Sequence, residues 1–339
     1  MKTSDFDYQL PEALIAQEPV EPRDSSRLMV LRRATGTIEH RVFRELPQIL
    51  SPGDLLVMND SRVIPGRLFG RRRGGGKAEV LLLREVSDCL WDCLVRPGRK
   101  LRPGAQIFFG DGELWAEVLE VSQAGGRLVR FHSQMPFWQA LARLGKVPLP
   151  PYIRKELKDP ERYQTVYSRV MGSAAAPTAG LHFTHELLEK LEQTGVDLCF
   201  VTLHVGVDTF RPVRCENVEQ HTMHCEVFTV PQETVDRIRL AKGRGARVVA
   251  VGTTVVRSLE SAALGGELAA SSGWTRLFIY PGYQFRVIDG LITNFHLPRS
   301  TLLMLVCAFG GYELVMNAYR VAVDSKYRFF SFGDAMLII

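Results

Sequence analysis

Two textures of hydrophobic patterning divide the chain. From about Pro65 to Arg130, short apolar runs alternate with turn residues: RLFGRR, AEVLLLR, CLWDCLVR, QIFFG, ELWAEVLEV and RLVRF. Arg73-Gly74-Gly75-Gly76, Arg96-Pro97-Gly98 and Gln123-Ala124-Gly125-Gly126 punctuate them. This spacing predicts roughly five or six short strands closing into a small antiparallel barrel or sandwich. Outside the stretch the period changes. Arg27–Arg33 and Asp54–Asp60 read as strands, the second following the turn signal Ser51-Pro52-Gly53. Met135–Leu144 reads as a helix, and Val147–Pro151 as a rigid connection.

From Thr184 onward, strand and helix periods alternate. Thr184–Gly195 is an amphipathic helix with Thr184 as its N-cap and Gly195 as its stop. Leu198–Val205, Arg247–Val251, Arg276–Tyr280 and Leu291–Phe295 read as strands. Gln232–Ala241, Val255–Leu264, Thr301–Phe309 and Glu313–Ser325 read as helices. Near-continuous apolar strands between helices imply a layered α/β fold with its crevice past the strands' carboxyl ends. The expected fold is therefore a larger, discontinuous mixed α/β domain, residues 1–64 and 148–339, carrying an inserted small β-barrel, residues 65–147.

Composition alters this picture little, but the distribution of charge does. The chain has 339 residues and a formal net charge of +5. Residues 1–170 hold 27 Lys+Arg against 21 Asp+Glu, and the Arg62–Arg102 window alone holds 11 against 4. That window includes Arg62, Arg67, Arg71, Arg96, Arg99 and Lys100, as a polyanion-binding insertion would. The bland counterpart is a solvated basic face. The most apolar run, Leu302–Phe309, is far shorter than the ~20 residues of a bilayer span. The N-terminus has acids where a signal peptide has bases, and six cysteines without a C-x-x-C pair fit reduced thiols in a cytosol.

Polar clusters lie where strands should end. Ala176–Thr184 contains Thr178, Gly180 and His182 before a helix; small residues there let backbone approach a ligand, and the helix N-terminus offers N–H donors. His204 ends a strand, and His221–Glu226 packs His224, Cys225 and Glu226 into one short segment. Gly252-Thr253-Thr254, with Arg257 one turn on, is a junction able to hold a nucleoside or carboxylate. Asn294 and His296 end a further strand. Each has a dull reading as a cap or a hydrogen-bonded structural residue. The His/Cys spacing matches no zinc pattern, so no metal is expected. There is no Walker A sequence, no G-x-S-x-G, no H-E-x-x-H and no G-x-G-x-x-G after a strand. From these residues alone the reading is an enzyme acting on a nucleic acid. A methyltransferase acting on RNA, or a non-catalytic RNA-binding protein, is the alternative.

At these same clusters the sequence resembles the S-adenosylmethionine:tRNA ribosyltransferase-isomerase family of queuosine biosynthesis. The resemblance runs end to end, through FDYQLPEALIAQEPVEPRDSSRL (Phe6–Leu28), GDLLVMNDSRVIPGRL (Gly53–Leu68), LVRPGRKLRPG (Leu94–Gly104), VPLPPYI (Val147–Ile153) and RYQTVYS (Arg162–Ser168). It continues through APTAGLHFT (Ala176–Thr184), VTLHVGVDTFRPV (Val201–Val213), VGTTVVRSLE (Val251–Glu260), Tyr280–Gly311 and Tyr327–Ile338. Asp208 stands where the family pattern has glycine; Ser61 and Val255 are further departures.

The resemblance implies that S-adenosylmethionine, a co-substrate rather than a cofactor, donates its ribosyl portion. The acceptor would be 7-aminomethyl-7-deazaguanine at the tRNA wobble position, and the products epoxyqueuosine-tRNA, adenine and methionine. It implies a general base from among His182, His204, His224, His296 and Glu226. Thr178, Gly180, Gly252, Thr253, Thr254, Arg257 and Asn294 would bind S-adenosylmethionine. Asp60 or Asp334 would accept from the deazaguanine face, and the basic window would contact tRNA phosphates. A cytoplasmic protein without a membrane partner, acting as a monomer, is expected.

Overall fold

A computed structural model describes residues 1–122, 125–206, 213 and 215–339; Asp208 lies outside them. The chain divides into two compact units. One, the body, comprises Met1–Ser61, Pro151–Val170 and Ala176–Ile339; the other comprises Arg62–Pro150 and Met171–Ala175.

The body is built on a nine-stranded mixed sheet. In chain order its strands are β1 (Arg27–Arg32), β2 (Thr37–Val42), β3 (Leu55–Asn59), β4 (Asp197–Leu203), β5 (Glu226–Val230), β6 (Val248–Val251), β7 (Ser271–Thr275), β8 (Gly290–Asn294) and β9 (Ala335–Ile338). The spatial order is β7-β5-β4-β3-β6-β8-β9-β1-β2. The neighbours β4, β3, β6 and β8 run parallel, and β9 closes antiparallel against β8. Strands β3, β6, β8 and β9 are buried along their whole length, which is why the first three read from the sequence as largely apolar runs.

Among the described residues of the body, five α-helices of nine or more residues accompany the sheet: α1 (His185–Gln193), α2 (Gln232–Gly243), α3 (Thr253–Ala262), α4 (Thr301–Gly310) and α5 (Tyr312–Asp324). Thr184 caps α1 as expected, its Oγ1 accepting from Leu187 N at 3.1 Å. Leu187, Leu188 and Leu191 then bury one face of α1 in the core that also holds Leu56, Val249 and Ile292. Among the described residues no single helix is long and apolar enough to cross a membrane.

The second unit closes on itself. Strands Arg67–Arg72, Lys77–Ser87, Leu90–Arg96, Arg127–Ser133, Leu114–Val121 and Gln106–Phe109 pair in that spatial order, and the last pairs back with the first. Closure needs a glycine. A Cβ on Gly70 would lie 2.5 Å from Phe108 O and 2.6 Å from the Phe109 ring, so any larger residue would hold the seam open. Alternation fills the interior with Leu68, Val80, Leu82, Trp91, Phe109 and Phe131 beneath helix Phe137–Leu144. The fold is thus the mixed α/β body with a small antiparallel barrel that the patterning implies.

Individual elements differ from expectation. Arg276–Tyr280 is not a strand: the neighbouring strand is Ser271–Thr275, and Leu277 O accepts from the Arg257 guanidinium instead of from a sheet neighbour. Strands β2, β5 and β9 are additions. β5 hides in the alternating residues of Glu226–Val230, directly after the polar cluster that drew attention to chemistry.

Candidate functional site

The four parallel strands deliver their carboxyl ends to one place. Asn59 ends β3, His204 follows β4, Gly252 follows β6, and Thr293 and Asn294 end β8. Past these ends lies a cleft of about 660 Å³, counting its open mouth. Its walls come from Ala176–Ala179, Val205, Gly252–Thr254, Thr293–Leu297, Ser300 and Phe330–Ser331. A crevice at this point is where open α/β sheets bind ligands.

Gly252 sets the turn from β6 into α3. Its φ of +94° belongs to the region that favours glycine, and its N–H reaches Ile292 O at 2.7 Å, tying β6 to β8. Among the described residues no side chain caps α3, so Thr253 and Thr254 bring its positive end to the cleft. Ser300 caps α4, its Oγ accepting from Leu303 N at 3.2 Å, and brings a second helix N-terminus to the same wall. Two positive helix ends and few charges make this a place for an anionic group on an otherwise apolar ligand.

His182 is buried behind the cleft. Its Nδ1 lies 2.7 Å from Ser26 Oγ and its Nε2 lies 3.1 Å from Asn294 Nδ2, and its ring stacks on Phe43 at 5.0 Å. Burial, with Arg328 and Arg23 nearby, pushes its pKa down to about 3. Asn294 also receives the Thr178 hydroxyl at 3.0 Å, and both residues line the cleft. His296 lines the cleft too. Its Nε2 lies 2.7 Å from Thr293 Oγ1, and burial lowers it to about 3. Both imidazoles are therefore neutral at physiological pH.

The remaining sequence candidates lie elsewhere. His204 has a buried Nδ1 with no hydrogen-bond partner; burial lowers its pKa while Asp60 opposes the shift. Asp60 is buried and taken up by protein groups, accepting from Arg169 at 2.8 Å and from Thr202 Oγ1 at 2.7 Å. Glu226 forms a buried ion pair with Arg257, while His224 Nε2 and Gly206 N reach its other oxygen at 3.2 and 3.0 Å. Burial alone would raise the Glu226 carboxyl, but Arg257 and His224 override it and hold it at about 2. Arg257 is thus spent on a carboxylate of the chain itself. Asp334 accepts from Arg27 N at the start of β1 and from Arg328 N in the loop before β9, at 2.9 and 2.8 Å, and is not among the residues lining the cleft.

Gly180 lies within the Thr178–His182 turn, where a Cβ would lie 2.1 Å from Tyr167 Oη. On the second unit, Arg71, Arg96, Arg99 and Lys100 are exposed, Arg62 is half-buried, and Arg67 pairs with Glu79 at 3.1 Å. Among the described residues no group of three His, Cys, Asp or Glu side chains could hold a metal ion.

Several cleft residues had no sequence signal of their own. Phe330 adopts a φ of +70°, rare for a bulky residue, and its ring lies tilted at 4.8 Å from that of Tyr152, whose hydroxyl lies 2.7 Å from Ser331 Oγ. Ser26 and Thr293 look like ordinary strand-end residues until His182 and His296 are seen beside them. A histidine followed through the fold to its second nitrogen would have found both.

A crevice at the carboxyl ends of parallel strands, with helix N-termini and the neutral imidazoles of a buried His182 and a half-buried His296, is the site of an α/β enzyme, here of transferase and isomerase type. The chain belongs to the queuosine biosynthesis protein family, whose model matches residues 3–338. Its relatives include the S-adenosylmethionine:tRNA ribosyltransferase-isomerases of Halothermothrix orenii, 57% identical over 341 residues, and Moorella thermoacetica, 58% identical over 342. Each pairing covers 100% of both chains. A crystal structure of S-adenosylmethionine tRNA ribosyltransferase from Thermotoga maritima is 46% identical, with a TM-score of 0.59 over 99% of this chain and 100% of that one.

Proposed function

We propose that this enzyme transfers and isomerises the ribosyl moiety of S-adenosylmethionine onto 7-aminomethyl-7-deazaguanine at the wobble position of tRNA. The products are epoxyqueuosine-tRNA, adenine and methionine. The observation that carries the reading is the full-length family match joined to a cleft suited to a zwitterionic nucleoside, apolar on its flanks and fringed by two helix N-termini.

In this reading the methionine carboxylate meets the N–H groups at the start of α3, where Thr253 and Thr254 stand. The sulfonium acidifies the adjacent 5′ C–H, and a base removes that proton. The electrons left on carbon open the ribose ring and expel adenine. The tRNA amine then attacks, and closure of the epoxide releases methionine. Of the four candidate histidines, His296 lines the cleft and is assigned as the base. With a pKa near 3 it is neutral but weak, so the sulfonium supplies most of the driving force for proton removal. The exposed Arg71, Arg96, Arg99 and Lys100 hold tRNA phosphates. The enzyme acts in the cytoplasm as a monomer.

Incubation with S-adenosylmethionine and tRNA bearing 7-aminomethyl-7-deazaguanine tests the assignment. Adenine release with a ribosyl-sized mass gain on the nucleoside is expected. A methyl-sized gain would assign a methyltransferase instead, and tRNA binding without any change a non-catalytic binder. His296→Asn is expected to abolish adenine release in a folded protein.

A further inference from the structure

The hydrogen-bond polarity of the cleft wall can be traced from one carbonyl. Phe330 O accepts and cannot donate, so the Asn294 side-chain atom 3.3 Å from it has to be the amide nitrogen. The same nitrogen then donates to His182 Nε2 at 3.1 Å. His182 Nε2 is accordingly the bare nitrogen, and Nδ1 carries the proton toward Ser26 Oγ at 2.7 Å. On the other side of the amide, Asn294 Oδ1 faces the Thr178 hydroxyl, which has to donate its proton to it at 3.0 Å.

Both Asn294 N–H bonds and the Thr178 O–H bond are therefore directed at protein atoms. Toward any ligand, Thr178 Oγ1 can only accept, and Asn294 retains only its carbonyl lone pair. We infer that Thr178 and Asn294 form an acceptor-only edge that selects a ligand N–H donor, the exocyclic amine of adenine, with His182 as a positioning residue that joins the Phe330 carbonyl in holding the edge's polarity. A ligand carbonyl at the same place would oppose two lone pairs with no proton between them, an arrangement buried sites reject strongly. A neutral imidazole suits this role, because a protonated His182 would present a donor to Asn294 and turn the amide over. Its environment opposes that protonation, with burial leading and Arg328 and Arg23 adding to it.

The inference rests on S-adenosylmethionine being the ligand of this cleft. Equilibrium binding to the full chain, with saturating substrate tRNA present, should be measured for S-adenosylmethionine and for its analogue with hypoxanthine in place of adenine. The wild type is expected to prefer the adenine compound by at least about 100-fold. Thr178→Val keeps the shape and removes an acceptor, and should shrink that preference to within about 10-fold. His182→Leu, which leaves the amide nitrogen held by Phe330 O alone, should lower it in part, whereas His182→Gln, whose carbonyl can still accept from Asn294, should restore it. A loss of packing alone would weaken both ligands together and leave the ratio unchanged. Equal wild-type binding of the two compounds, or full preference retained in Thr178→Val, would overturn the inference and leave the proposed reaction standing. Binding of neither compound would remove the proposed reaction and this inference together. If His182→Leu does not fold, the Thr178→Val ratio decides.

Discussion

The body and the barrel solve opposite problems with the same hydrophobic budget. The body buries polar groups in quantity where its strands end: Asn59, Asp60, His182, Glu226, Thr253, Arg257, Thr293 and Asn294. Among the described residues between 62 and 150, no polar or charged residue is buried, and basic side chains such as Arg71, Arg96, Arg99 and Lys100 stay on the outside. The difference teaches where the free energy is at risk. Buried polar groups are costly unless every partner is in place, so the body carries built chemistry, whereas an apolar barrel can change its surface freely.

The largest expected effect breaks the body's buried pair. Arg257→Ala leaves Glu226 charged and uncompensated, and should cost about 3–5 kcal/mol by urea unfolding. Replacing a basic barrel residue such as Arg99 should leave the midpoint almost unmoved. A small cost at Arg257 would erase the contrast.

Next in size is an acid dependence confined to the body. His182 and His296 sit near 3 when folded and near 6.5 when unfolded. The unfolded chain binds more protons between those values, so stability is full above about pH 6.5 and falls as pH drops toward 3. His182→Gln should flatten that decline in thermal melts from pH 4 to 7. A decline of unchanged steepness would mean that His182 is protonated in the fold.

Smaller again is the barrel's share. Changing Arg99 and Lys100 together to Ala should weaken tRNA binding and reduce the slope of log affinity against log salt by about 2. Turnover at saturating tRNA should be retained. Unaltered affinity across salt concentrations would return the basic window to an ordinary solvated face. Smallest is the exposed Arg154–Glu12 pair at 2.9 Å, where Arg154→Ala should change stability by less than about 1 kcal/mol.

The same contrast explains what the sequence made legible. Barrel strands announce themselves because period-two alternation and glycine punctuation are local, and the fully buried β3, β6 and β8 because apolar runs are. Strand β2, the hairpin partner of β1, is a polar, largely exposed edge strand with no apolar run to announce it, while β9 depends on neighbours far away in the chain, docking between β8 and β1. Arg276–Tyr280 has a strand's composition, but the buried Arg257 claims its backbone. At the site, motif positions told which residues cluster at strand ends. They could not tell which way a side chain faces, and facing separates His296 on the cleft wall from His182 behind it. Nor could they foresee that Arg257 pairs with Glu226, since that depends on β5 lying beside β4.

Asn59 carries a consequence of its own. Where β3 and β4 would exchange their next rung, its side-chain amide donates to Leu203 O and accepts from Leu203 N, both at 3.0 Å. It also accepts from Ser61 N at 3.1 Å and donates to Thr254 Oγ1 at 3.2 Å. One side chain thus impersonates a stretch of main chain, letting two strands part company without leaving a raw edge. The parting of β3 and β4 is, in this sense, a seam finished by a single stitch, and the same carboxamide ties that seam to Thr254 on the cleft wall.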